Sequence, residues 1–501
     1  MGTTIEPIEF GLEPGALTEK FPAPPGDTTT SLSVEIIAAL NLVCDTSVDV
    51  LDTAQHGRDW WPIAMHWSLS GITPRRPSAV CRPRTTQDVV EIVNICATND
   101  VPLTVSGGRS GVCGAAIPLY GGVVLDTTSM TGICNVDRES GIVEVLAGTF
   151  GPEFEDELRT KYQITVGHYP QSFDISTVGG WVACRGAGQF STRYGKIEDM
   201  VVALEVVLAN GSVILTGGAP ASANGPDITS LFVGSEGTLG VVTRIWLRAH
   251  PLPPAERRAA YSFPTFSNGI SACRDVIRAG ATPAVLRLYD PQESARSHGA
   301  DGSTCTLLVL DRGDEVLIDA TMRIVDTAVR ANGAIDGDIE LVEKWMHHRN
   351  DTTGLQAMTR KGYIVDTMEV SAPWSKLATI VSDVCSSLLA VPGARAATCH
   401  LSHSYLDGAC LYFTFAAIVE KNQVDACYVA LWDAAQHAAI AAGSNISHHH
   451  GIGINRGRFM AESLGVALDV LISLKSVLDP KDTMNPGKLG LPTRRGKVVW
   501  P

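Results

Sequence analysis

The sequence predicts an α+β protein: a sheet-rich first unit, a second unit that mixes strands and helices of its own, and a C-terminal tail. Three observations carry this. Apolar and β-branched runs alternate with helix-period segments from about residue 75. Three loops rich in glycine and hydroxyl residues adjoin apolar strands within about 140 residues. Prolines and charges then break the pattern at "LRAHPLPPAERR". The expected division is a lead-in over 1–74 that packs on the core, a unit over 75–250, a second over 251–445 and a tail over 446–501.

Each element has a local cause. The lead-in mixes prolines with the helix-like "LSVEIIAALNLV" and the aromatic patch "DWWPIAMHW". Thr85 or Thr86 caps a helix carrying Val89, Val90, Ile92 and Val93, and "PLTV" follows as a buried strand that ends at glycines. The runs "GGVVLDTT", "GIVEVLAGT" and "VVALEVVLANGSVILTGG" read as strands, and Asn210-Gly211 in the last marks a hairpin. In the second unit the strand-like "CTLLVL" and "CLYFTFAAIV" alternate with the helix-like "VLIDATMRIVDTAVRANG" and "QVDACYVALWDAAQHAAIAAG". The tail carries "FMAESLGVALDVLISLKSVL", which reads as one helix. No internal repeat or low-complexity tract appears.

Composition narrows the function. A chain of 501 residues, 45% hydrophobic and 18% charged, buries a large core. The net charge of -14, with no run of basic residues, argues against a nucleic-acid or anionic-membrane partner and leaves a small-molecule substrate. The twelve cysteines include no C-x-x-C pair and read as buried thiols in a reducing compartment. The N-terminus has no signal-peptide pattern, and "ACLYFTFAAIV" is shorter than the roughly twenty residues that span a bilayer. The expectation is a cytoplasmic protein without stable membrane insertion.

The first loop, "TVSGGRSGVCGAA" (104–116), lets backbone N–H groups converge on an anion because no Cβ intervenes, although a plain tight turn fits it equally. It is neither a Walker loop nor a G-x-G-x-x-G turn. Two further loops, "QSFDISTVGGWVACRGAG" (171–188) and "VGSEGTLGVVT" (233–243), accompany it. Together they resemble the flavin-binding domain of the vanillyl-alcohol-oxidase or PCMH-type FAD proteins. The resemblance implies a two-subdomain FAD-binding domain, an α+β cap that holds substrate, and a tail that returns to the flavin. It implies cofactor contacts from Val105, Ser106, Gly107, Gly108, Arg109 and Ser110 in the first loop. The second loop would contribute Ser172, Ser176, Thr177, Gly179, Gly180, Arg185 and Ala187, and the third Glu236, Gly237, Gly240 and Val242. Arg109 and Ile175 stand where relatives place a His or a Cys bonded to the flavin, so the FAD is expected to be noncovalent.

The remaining puzzle is "ISHHHGIG" (446–453). The stretches "NDTTGL", "MEVSAPW", "YLDGACLYFTF", "SHHHGIG" and "LDPKDTMNPGKLG" resemble the C-terminal half of alkylglycerone-phosphate synthases, which exchange an acyl ester for a fatty alcohol through a flavin N5 adduct with no net redox change. That resemblance implies His448, His449 and His450 as activity-critical, Tyr412 as proton donor and Arg349 as a contact for anionic substrate. Imidazole suits the work because its ordinary pKa lies near neutrality. The match departs at His400, where the synthases carry Arg, and at "INRGRF", which is less basic here.

"HLSHSYLDGACLY" also echoes the D-2-hydroxyacid dehydrogenases, in which such a motif grips a divalent metal; His400, His403 and His450 would offer imidazoles for one, but no metal is assigned. Bland readings stand beside these. Three adjacent histidines cannot all point one way, so two are expected to function. Tyr412 fits a core tyrosine, Arg349 a solvated face beside His347 and His348, Arg109 a surface arginine, and His168 a packing role. The expected function is oxidation of a hydroxylated small molecule, an alcohol or 2-hydroxy acid, by hydride transfer to flavin N5 with His and Tyr as acid-base groups. The ether-forming transferase and a non-catalytic flavin-fold binding protein are the alternatives. The electron acceptor is left open, and a homodimer is allowed.

Overall fold

The computed structural model describes residues 5–12, 16–21, 32–496 and 500. The helix α1 (Val34–Val43), capped by the Ser33 side chain, leads to a four-stranded sheet of β1 (Asp45–Ser47), β2 (Ala79–Arg82), β3 (Leu103–Ser106) and β4 (Val123–Asp126) in the order β1-β2-β4-β3. Between β2 and β3 runs α2 (Thr86–Thr98), which starts in a capping box of Thr85 with Asp88. Its Val89, Ile92, Val93 and Cys96 recur at helical spacing and are buried against Leu103, Val123 and Leu125.

A second, antiparallel sheet contains β5 (Ile133–Asp137), β6 (Ile142–Leu146), β7 (Val201–Val207), β8 (Val213–Gly217) and β9 (Val241–Arg248), ordered β8-β7-β9-β6-β5. The β7–β8 hairpin turns at Asn210-Gly211, where Gly211 has φ +79°. A short helix, α3 (Val178–Ala183), lies in the 171–188 loop and packs its Val178, Trp181 and Val182 into this sheet's core.

The third sheet positions the chemistry. It contains β10 (Ala255–Phe263), β11 (Val285–Tyr289), β12 (Cys305–Gly313), β13 (Ile335–Asp336), β14 (Tyr363–Pro373), β15 (Ala394–Ser404) and β16 (Gly408–Ile418), ordered β13-β10-β12-β11-β15-β16-β14. Side chains alternate between its faces. Leu286, Leu288, Met368, Val370, Cys399, Leu401, Leu411 and Phe413 take one face. There they pack with α4 (Phe266–Arg278), α5 (Glu315–Ala331), α7 (Leu377–Leu389) and α8 (Val424–Ala441). The registers Tyr289↔His400, His400↔Tyr412 and Tyr412↔Glu369 put those four side chains together on the opposite face. A bulge between Leu401 and His403 brings His403 onto it as well, opposite Cys410. Toward β10–β12 this face meets Tyr169 and Phe190 of the first unit and Val342 of α6 (Glu340–His348).

The tail does not form the single helix expected. Gly465, at φ +54° and ψ -134°, breaks it into α9 (Met460–Leu464) and α10 (Leu468–Leu478), because only glycine takes that backbone cheaply. Beyond α10 the chain returns to the first sheet: Leu103 N–H donates to Thr483 O at 2.8 Å, and Asn485 N–H to Leu103 O at 2.7 Å. No helix among the described residues is long and apolar enough to cross a membrane.

Candidate active site

The three loops meet one another. Gly108 lies so close to the Ile175 carbonyl that a Cβ there has no room, and a Cβ on Gly237 would touch Val105 at 3.3 Å. Gly234 N–H donates to Val182 O (2.9 Å) and Glu236 N–H to Ala183 O (3.0 Å), tying the third loop to the second. Around this junction the Ser106 hydroxyl and both ring nitrogens of His168 are buried without a hydrogen-bond partner. Burial lowers the His168 pKa to about 3, so the ring is neutral, and it lies 4.8 Å from Trp181. Buried orphaned polar atoms call for a missing partner. A Cβ on Gly111 would meet a single neighbouring atom, Asp59 Oδ2 at 3.6 Å, an ordinary contact, so the chain has room there. A polar group bound along the loops, as a dinucleotide would be, fits these features.

The loop residues divide by what their side chains do. Ser110, Ser172, Gly107, Gly179 and Gly180 are half-buried along the loops, and Gly179 N–H donates to Ala147 O at 2.7 Å. Ser176 Oγ accepts from Trp181 Nε1 at 2.7 Å, and Thr177 Oγ1 caps α3 through Gly180 N–H. Ala187 is buried, Gly240 packs on Val206, and Val242 pairs with Val206 within the sheet. Arg109 is no surface arginine: its buried side chain pairs with Glu6 at 2.6 Å and donates to Gln55 O. Arg185 is exposed and pairs with Glu198 at 3.2 Å. Both sit at positive φ, so their backbone rather than their charge shapes the loops. Glu236 is spent on the histidine turn, accepting from Ile452 N–H at 2.6 Å and from Gly453 N–H at 2.9 Å.

That turn docks on the first and third loops and beside the second. Ile454 and Asn455 donate to the Cys113 carbonyl of the first loop at 2.9 and 3.1 Å. Lys196, just past the second loop, donates to the His448 carbonyl at 2.7 Å, and Glu236 of the third holds the Gly-Ile-Gly end. From the cap side Glu369, fully buried on β14, gathers the other end. Its Oε1 accepts the backbone N–H groups of His448 (3.2 Å), His449 (3.0 Å) and His450 (2.8 Å) and the Ser447 hydroxyl (2.9 Å). Arg456 donates to both of its oxygens, 3.1 Å to Oε1, and is itself fully buried.

The rings form one row. Tyr405 OH lies 2.6 Å from His448 Nε2, and His448 Nδ1 lies 2.8 Å from His449 Nδ1. Two proton orders satisfy the row: Tyr405 donates to His448, whose Nδ1–H donates to His449 and leaves His449 Nε2–H as a donor, or His449 Nδ1–H donates to His448, whose Nε2–H donates to Tyr405. His450 Nδ1 lies 2.8 Å from Glu369 Oε2, at ion-pair distance but poorly aligned for a hydrogen bond. The Tyr412 ring lies 5.9 Å from His449 and 5.5 Å from His450, and its hydroxyl donates to Thr367 Oγ1 at 3.1 Å.

Burial sets the charges here. It holds His403, His448 and His449 well below the ordinary imidazole pKa, and it pushes the Tyr405 and Tyr412 hydroxyls up. Burial opposes ionisation of Glu369 as well, but the charges of Arg456 and His450 outweigh it and hold that carboxyl well below its usual range. His403, His448 and His449 are thus neutral imidazoles beside an ionised carboxylate.

Arg349 follows α6 and faces the first unit. Its Nη1 donates to Gln189 Oε1 at 2.7 Å, and its Cζ lies 5.1 Å from the Phe190 ring, while His347 and His348 are exposed. Burial lowers its pKa to about 10, which leaves it charged at neutral pH. The expected grouping of His400, His403 and His450 is not what converges. His400 is turned to Glu293 and Arg287, and the donor atoms that lie within 4.8 Å of one another belong to His403, Cys410, His448 and His449. Glu369, Arg456, Lys196, Tyr405 and Arg287 were not anticipated from sequence. The available signal was a charge or hydroxyl on strands and turns that otherwise bury apolar groups.

Comparisons with known proteins bear on the family and the fold. The family described as "FAD binding domain" matches residues 77–217, and "FAD linked oxidases, C-terminal domain" matches residues 252–489. An uncharacterized FAD-linked oxidoreductase, YgcU, of Escherichia coli O157:H7 is 32% identical over 82% of this chain and 89% of its own. An alkyldihydroxyacetonephosphate synthase of Dictyostelium discoideum is 29% identical over 84% of this chain and 74% of its own. A solved alkyldihydroxyacetonephosphate synthase has a TM-score of 0.77 at 23% identity, covering 95% of this chain and 87% of its own, a likeness of fold.

Proposed function

The chain belongs to the FAD-linked oxidase family, with FAD as its cofactor, and from that premise we propose that it oxidises a hydroxylated small molecule, an alcohol or 2-hydroxy acid. The observation that carries the proposal is the docking of the histidine turn on the first and third flavin loops and beside the second, with an ionised carboxylate behind it. FAD, when bound noncovalently, supplies an acceptor for a hydride.

The chain's own residues do the rest. The carboxylate of Glu369 beside Nδ1 favours a proton on that nitrogen, which leaves His450 Nε2 to take the hydroxyl proton of the substrate as its carbon gives up hydride. His449 Nε2–H steadies the oxygen as the carbonyl forms, and His448 with Tyr405 extends the row as a proton path. Tyr412 supplies a half-buried ring wall against His449 and His450, and its hydroxyl relays protons only after leaving Thr367. Arg349 clamps an anionic substrate group at the far side, toward Gln189.

The likeness to synthases supports a second reading, a transferase without net redox that uses the same histidines and tyrosine. Anaerobic mixing of the holoprotein with a panel of alcohols and 2-hydroxy acids separates the two. Loss of the oxidised flavin absorbance with at least one of them is the expected result. An alkyl ether product formed without any electron acceptor, and with the flavin left oxidised, would overturn it.

A further inference from the structure

Arg287 stands apart from the rest of its strand. On β11 it is the one residue that is not buried, and the alternation points it, with Tyr289, onto the polar face of the sheet. Its Nη2 lies 2.6 Å from His400 Nε2, its Nε donates to the Tyr289 hydroxyl at 3.1 Å, and its Cζ lies 5.4 Å from the Trp345 ring. Among the described residues no carboxylate lies at ion-pair distance from it, and its Nη1 makes no hydrogen bond. A guanidinium can only donate, so His400 accepts through Nε2 and carries its proton on Nδ1, 3.1 Å from Glu293 Oε1. A half-buried cation is thus held in place by a neutral ring, with the Glu293 carboxylate behind that ring and no carboxylate of the described residues in direct contact with the guanidinium.

We infer that Arg287 is a specificity-determining residue that shares with Arg349 the anionic group of the substrate, a carboxylate or a phosphate, while His400, oriented by Glu293, holds its fork in position; this rests on the reading of the site as the place where that substrate is oxidised. Trp345 and Arg349 lie one helical turn apart, so a second guanidinium borders the same aromatic wall. The His400 ring stacks on Tyr412 at 4.8 Å and 18°, and the Tyr412 ring lies 5.5 Å from His450, so two aromatic rings link Arg287 to the histidine turn.

The test is calorimetric titration of the holoprotein with oxalate and, separately, with inorganic phosphate. At least one of them is expected to bind, and the tighter one identifies the anion. Arg287→Gln is expected to weaken that binding by about tenfold to a hundredfold, the worth of a charge-assisted hydrogen bond, with the FAD spectrum retained. Arg287→Lys, which keeps the charge and loses the fork, is expected to fall between the two. No binding of either anion by the unaltered protein, or equal affinity in Arg287→Gln, would overturn the inference. Should the anion bind through Arg287 while no hydroxylated compound reduces the flavin, the assignment of Arg287 stands and the oxidoreductase reading falls.

Discussion

His450→Ala is expected to slow flavin reduction by about 10²–10⁴-fold, the usual worth of a positioned general base, while FAD stays bound. The separation follows from the geometry. The His450 side chain makes its close polar contact with Glu369 of the cap, whereas the loop contacts of the turn run through the backbone of Ile452, Gly453, Ile454 and Asn455 and through the His448 carbonyl. Removing the imidazole therefore deletes a proton acceptor and leaves the floor of the slot intact. Single-turnover reduction followed at the flavin band, together with the FAD content of the purified variant, measures both halves. Unchanged reduction, or loss of FAD, would show that His450 is structural.

Glu369→Gln is expected to destabilise the protein by about 3–5 kcal/mol, because it leaves Arg456 as a buried charge without its counter-ion. It also leaves the backbone of three histidines on a neutral amide oxygen, a weaker acceptor, and sets an NH2 donor where a carboxylate oxygen faced Arg456 and His450, so turnover should fall with stability. Thermal unfolding of the holoprotein reads the first effect, and flavin reduction well below the melting point reads the second. The pH dependence has a definite sign. The carboxyl of Glu369 is held below its ordinary value of 4.5, so its contribution is fully present above about pH 4.5 and is lost as pH falls through the lower folded value. The Gln variant should lack that acid-side loss. A melting temperature that moves by less than a degree would mean that the pair contributes little.

Local chemistry made much of the fold legible. Thr85 and Asp88 form a capping box, Asn210-Gly211 turns a hairpin, and apolar alternation marks the strands, because each signal resides within a few neighbouring residues. The site was legible as a set of side chains but not as a set of pairings. Glu369 and Arg456 lie 87 positions apart and Arg287 and His400 lie 113 apart, so the docking of the tail on the third sheet brings the first pair together and the register of that sheet the second. Glu236 and Arg109 show the converse. Both occur in loops that resemble cofactor-binding segments, yet their side chains are spent within the protein, one on the histidine turn and the other on Glu6 and Gln55. The break at Gly465 was missed because apolar periodicity continues across it, while the backbone does not.

The most direct measurement is a crystal structure of the protein purified with its FAD. The account predicts the dinucleotide along the loops at 105–116, 171–188 and 233–243, with the reactive edge of the flavin ring toward His449, His450 and Tyr412. A flavin ring on the side of the loops away from residues 448–455, with those imidazoles turned to solvent, would contradict it.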